Sequence, residues 1–222
     1  MAHSNESREL FTSAKTQSPI PIEGSVFRDA LIRASLDPAV RSIEKMSGSV
    51  LVRNLAVVLR DDGRFAYGLD GDARLMTSFS PLAFEESRLR PLTLTMQELY
   101  CEPAISNHRL IWSHKARRVS NGIRTQILEL LAGCGHVPLG ELVSTLRIQR
   151  RSETSLLSMA CADLIEIGEL AVKPLGPDSI VRRRSASGTN TKVFTVAPVA
   201  LRTAWLSGGE RFSTHNLMIK PR

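Results

Sequence analysis

Apolar positions recur along this chain with two different spacings. Over 24–36, Val26, Ala30, Leu31 and Ala34 fall near a 3.6-residue period, which predicts an amphipathic helix. Asp37-Pro38 stops it, because the residue before a proline is driven away from helical backbone angles. Residues 49–59 are mostly β-branched and aliphatic, broken by Arg53 and Asn54, and read as a strand. Asp61-Asp62-Gly63 is a hairpin signal, and 64–69 returns as a second strand. Asp70-Gly71-Asp72 predicts another turn, 74–79 a third strand, and 80–88 a short helix with Pro81 in its first turn. Residues 91–95 read as a further strand. Helices are expected over 96–101 and 104–118, with Pro103 between them.

The second half is patterned more regularly. Ile123, Ile127, Leu128 and Leu131 give one apolar face to a helix over 121–132, closed by Gly133 and Gly135. Pro138 opens a second helix, with Leu139, Leu142, Val143 and Leu146 at i, i+3, i+4 and i+7. A basic turn over 147–151 leads to a third helix over 152–165, whose inward face is Leu156, Leu157, Ala160 and Leu164. Residues 169–174 and 192–196 read as two strands, with Arg182, Arg183 and Arg184 in the loop between them. Three short helices followed by a hairpin with a basic loop predict a winged helix over 120–198, a variant of the helix-turn-helix. Ahead of it, 22–119 is expected to form an α/β domain of the α+β kind. Residues 1–21, polar and closed by Pro19 and Pro21, read as a flexible tail, and 199–222 as a C-terminal tail.

Charge sharpens this division. The 222 residues carry a formal net charge of +7, and the pI is about 9.8. Residues 1–50 hold six Lys/Arg and six Asp/Glu, 51–119 ten and eight, and 120–222 thirteen and eight. The excess lies in the half with the winged-helix pattern, which points to a polyanionic partner, DNA. In a helix-turn-helix the third helix offers its N-terminal residues to the major groove. Those residues are Arg150, Arg151, Ser152, Thr154, Ser155 and Ser158. Arginine bridges guanine edges or phosphates, and hydroxyls bond either. Arg182, Arg183, Arg184 and Lys192 are expected to follow the backbone from the wing.

Cys101, Cys134 and Cys161 are scattered, and no CxxC pair exists, so neither a disulfide framework nor a zinc ribbon is expected. Cys134 and His136 lack a third ligand nearby, and no metal site is expected. No apolar run approaches the ~18 residues of a membrane span. A cytoplasmic protein without membrane contact is expected. No P-loop, dinucleotide fingerprint or Ser-His-Asp grouping is present.

Three segments carry a family resemblance. One begins Glu23-Gly-Ser-Val-Phe-Arg-Asp-Ala-Leu and ends in Asp37-Pro38-Ala-Val40. Another is the strand, Asp62-Gly63 turn and strand. The third runs from Met96 through Glu98, Pro103 and Asn107 to Trp112. In this order they resemble the TnsA-type transposon-end endonucleases, which join a restriction-endonuclease-like domain to a C-terminal winged helix. The resemblance covers about 23–180. It implies a catalytic helix Glu, a strand Asp and a Glu-x-Lys that together gather Mg²⁺. The matching positions hold Phe27, then Asn54 or Leu55, then Gly68 and Asp70 with no lysine following. Those groups cannot hold a divalent cation, so the resemblance implies a degenerate nuclease domain, with no cofactor and no catalysis. Glu23, Asp70 and Asp72 are the carboxylates that a displaced Mg²⁺ site would recruit; His108 and His114 read as surface residues or phosphate contacts. The expected function is a DNA-binding accessory protein working with a transposase or integrase subunit. The alternatives are an active Mg²⁺-dependent endonuclease with a rearranged site and a winged-helix transcriptional regulator.

Overall fold

The first helix, α1 (Ser25–Leu36), begins where Gly24 takes φ 82°, an angle that favours glycine. Ala30, Leu31 and Ala34 of the expected face are buried and Val26 is half-buried, while Phe27, outside the expected set, is buried with them. Asp37 ends the helix with extended backbone, and its carboxylate accepts from the Ala39 amide at 2.8 Å. The computed structural model describes residues 9–46, 54–70, 88–146 and 152–184.

A four-stranded sheet lies against α1. It contains β3 (Val40–Lys45), β4 (Ala56–Arg60), β5 (Gly63–Leu69) and β6 (Arg90–Leu94), in that order. The first three run antiparallel, and Arg60 opposes Gly63 across the Asp61-Asp62 turn. β6 pairs with β5 in parallel, which requires a crossover through 70–89. The strand and helix expected over 74–79 and 80–88 lie almost wholly outside the described residues. The Tyr67 hydroxyl donates to the Ala30 carbonyl at 3.1 Å and ties sheet to helix.

The expected tail is partly folded. β1 (Glu9–Phe11) and β2 (Ile20–Ile22) pair antiparallel, and Phe11, Ile20 and Ile22 are buried in the first core. The physical reason is a distant partner: the Phe11 ring stacks on Trp112, centroids 5.2 Å apart.

After the sheet come α2 (Met96–Leu99) and α3 (Ala104–Trp112). A capping box between Thr95 and Glu98 starts α2. α3 stops at Trp112, short of the expected end at 118. Asn107, within the third resembling segment, is buried. Its amide donates to the carbonyls of Leu170 and Lys173 and its oxygen accepts from the Leu175 amide, at 2.7–2.8 Å.

The second unit runs α4 (Asn121–Cys134), β7 (His136–Pro138), α5 (Leu139–Thr145), α6 (Ser152–Cys161), β8 (Ile165–Ile167) and β9 (Ile180–Arg183). Ser120 caps α4, and Gly135 at φ 74° closes it. Its strands form a three-stranded antiparallel sheet in the order β7-β9-β8. The strand positions correct the sequence expectation. Ile165 begins a strand instead of ending a helix, and 169–174 is loop, with Glu169 at φ 63°. Arg182 and Arg183 lie within β9, not in a loop. The chain is thus a mixed α+β protein with two apolar cores, and both Leu36 and Trp112 touch each core. Among the described residues no helix is long and apolar enough to cross a membrane.

Candidate nucleic-acid interface

The join between the two units decides which cations can meet a ligand. Asp163 follows α6 at φ 58°, and its carboxylate faces Lys15 at 3.4 Å and Arg184 at 2.9 Å. Arg184 also donates to the Val40 carbonyl at 3.0 Å and lies 3.8 Å from Glu166. Its side chain is only 10% exposed. Lys15 donates to the Asp37 carbonyl at 2.6 Å. Burial lowers its pKa to about 8, against the opposing pull of Asp163. Burial also raises the Asp163 pKa, with Lys15 and Arg184 pulling it down. These groups fasten the second unit to the β1–β2 hairpin and to the corner after α1.

Arg184 therefore leaves the expected set of DNA contacts. Arg182 stands on β9 opposite Glu166 and forms an ion pair with it at 3.7 Å. Arg183 alone of the three is exposed. Successive residues of a strand point to opposite faces, so Arg183 is turned away from Arg182 and Arg184, which share Glu166. Lys192 lies outside the described residues.

α6 is also differently placed from the expectation. Its six residues from Leu156 to Cys161 are all buried, because α3 and α1 pack on the side that a free reading helix would show. Ser158 is 5% exposed and donates to the Arg117 carbonyl at 2.6 Å, so it is unavailable to a base edge. Cys161 donates to the Ile111 carbonyl at 3.2 Å, and burial pushes its thiol up to about 12. Only the first turn remains open. Ser152 begins the helix, Glu153 is exposed, and Thr154 and Ser155 are partly exposed. Arg150 and Arg151 lie outside the described residues.

The positions matched to a nuclease site are set apart chemically. Phe27 is 1% exposed within the first apolar core, and Leu55 is 5% exposed. Asn54 takes φ 60°, and its side-chain oxygen accepts from the Glu23 amide at 3.3 Å. Gly68 is an interior residue of β5 opposite Thr93, while Asp70 is exposed just beyond the strand. Asp72 lies outside the described residues. His108 is half-buried, and burial, with Arg33 adding, lowers its pKa to about 4, which favours the uncharged imidazole.

Sequence reasoning missed one basic surface. Because α3 ends at Trp112, residues 113–120 bridge the two units instead of continuing a helix. Arg117 and Arg118 on this bridge, with Arg124 on α4, line an open cleft of about 430 Å³. Its floor includes Met159 and Leu164. Lys115 lies at its edge but is engaged by Thr12, and its ammonium sits 4.8 Å from the Trp112 ring centre. The signal was present in the sequence as a short basic run just ahead of the Ser120 cap. Reading 104–118 as one helix turned it into a solvated helix face. The chain matches no family model and no curated protein, so the chemistry of this surface is argued from its own geometry.

Proposed function

We propose that this is a DNA-binding accessory protein whose second unit is a winged helix. The observation that carries the reading is the order α4-β7-α5-α6-β8-β9 with sheet order β7-β9-β8. It supplies three helices, a hairpin and a short strand between the first two helices, as a winged helix requires. The net charge of +7 favours a polyanionic partner. In this reading the first turn of α6 and the basic segment before it approach the duplex, while the rest of α6 serves as core. Contacts are then mainly to phosphate, since few side chains are left to read base edges. The loop between β8 and β9 is held by Asn107 and acts as a structural strut rather than a DNA-binding wing.

The resemblance to TnsA-type endonucleases supports a role beside a transposase or integrase. The helix and mixed sheet of the first unit are compatible with a restriction-endonuclease-like ancestry. Phe27 and Leu55, both buried, support a chain that binds DNA without cutting it. The test is fluorescence anisotropy of the full chain on a labelled duplex. Arg150→Ala with Arg151→Ala is expected to weaken binding by about 1–3 kcal/mol if either residue reads a base. Absence of salt-dependent duplex binding by the wild-type chain would remove the proposal.

A further inference from the structure

Arginines in this protein are, as a rule, accounted for. Of the fourteen among the described residues, eight form an ion pair with a carboxylate, and Arg33 donates to the Glu98 carbonyl. Three of the other five are Arg117, Arg118 and Arg124. They have no carboxylate partner among the described residues, and they converge on one cleft whose lining contains no Asp or Glu. Like charges repel when gathered without a counter-charge, and the backbone here does not let them drift apart. The Arg117 carbonyl is fixed by Ser158, the Arg117 amide donates to the His114 carbonyl at 3.0 Å, and the Arg124 amide donates to the Ser120 carbonyl at 3.0 Å. The fold thus places three exposed arginines along one cleft whose lining includes Met159 and Leu164.

We infer that this cleft is a binding site for the phosphodiester backbone of a nucleic-acid strand, separate from the first turn of α6. Planar guanidiniums match phosphate oxygens in bidentate pairs. A single enclosed anion fits less well, because the arginines are exposed and spread along a bridge and a helix. The cleft volume of about 430 Å³ suits a short stretch of strand. No aromatic ring lines the cleft, so bases do not stack there and recognition is indifferent to sequence. The apolar floor of Met159 and Leu164 packs against sugar. The cleft borders the C-terminal half of α6, a ten-residue helix, so it lies about 9 Å along the axis from the middle of the first turn. This site deepens the DNA-binding reading but does not depend on groove reading by α6.

The experiment uses the full chain and fluorescein-labelled single-stranded hexathymidylate and hexadeoxyadenylate at low salt. Neither oligonucleotide has a major groove, so the probe isolates backbone capture. Both are expected to bind alike. The Arg117→Ala, Arg118→Ala, Arg124→Ala variant is expected to bind at least roughly tenfold more weakly, with a salt slope smaller by about 2, at roughly 0.7 per phosphate contact. The corresponding triple lysine variant is expected to keep most of the slope. Arg118→Glu alone gives an independent reading if the triple variant fails to fold by circular dichroism. No binding of either hexamer, or a folded alanine variant within about twofold of the wild type, overturns the site. Loss of duplex binding with hexamer capture intact would instead overturn the α6 reading.

Discussion

Arg182, Arg183 and Arg184 are consecutive in sequence; Arg117, Arg118 and Arg124 are divided between a bridge and a helix. The consecutive set is largely taken up by carboxylates of the chain, and the divided set lines one cleft. Arg182 on β9 and Arg184 just beyond it lie two residues apart on one face and both pair with Glu166, and Arg184 also pairs with Asp163 in the join between the units. At the cleft, the bridge and the helix that follows it supply three arginines to a lining without carboxylates. A run of like charges in a sequence therefore says little until each charge has been matched to its partner in space. Arg184 works as an internal fastener, whereas the cleft arginines have no carboxylate partner among the described residues.

Substitutions can break this contrast. The largest effect is expected at Arg184→Ala, which leaves Glu166 and Asp163 short of a cation in a poorly hydrated join. Removing one partner of a buried pair costs roughly 3–5 kcal/mol, and with Lys15 still beside Asp163 the lower end is expected. Urea denaturation measures it, and a loss below about 0.5 kcal/mol, the range of ordinary surface changes, would show that the join does not need this residue.

A smaller effect is expected from pH. Lys15 titrates near 8 in the folded chain, below its ordinary value of 10.5. Between those values the unfolded chain binds more protons at this site, so its contribution to stability rises with pH across that window. The wild type should gain on the order of 1–2 kcal/mol relative to Lys15→Met between about pH 8 and 9.5. Parallel stability curves for the two proteins would contradict the burial of this ammonium. The smallest effect on stability is expected at Arg117→Ala, Arg118→Ala and Arg124→Ala, each within about 0.5 kcal/mol, because their side chains are exposed and form no ion pair among the described residues. A clear fall in melting temperature would move these residues into the class of Arg184.

Helical periodicity carried much of the fold. Ala30, Leu31 and Ala34 bury the face that their spacing implies, with Val26 half-buried, and Ile127, Leu131, Leu139 and Leu142 do the same in the second unit. The Asp61-Asp62-Gly63 hairpin was equally local. The errors fell where the determining contact is distant. Residues 9–22 read as a tail because three apolar residues among polar ones form no periodic face. Their burial depends on the first core, and that of Phe11 on Trp112, about a hundred positions away. Residues 169–174 carry a short apolar run that reads as a strand, yet Asn107 bonds their backbone in a loop. The missed cleft has the same origin, since the end of α3 at Trp112 is set by packing on both cores. Strands of three residues, such as β7 and β8, leave too short a pattern to detect.

The contrast between the two arginine sets is tested most directly by the salt dependence of binding to a labelled duplex. Three full-length proteins are compared: the wild type, Arg117→Ala/Arg118→Ala/Arg124→Ala, and Arg182→Ala/Arg183→Ala. The cleft variant is expected to lose about 2–3 units from the slope of log affinity against log salt, at roughly 0.9 per phosphate contact, and the β9 variant less than about 1. A β9 variant that loses the larger share while the cleft variant keeps the wild-type slope would contradict the account.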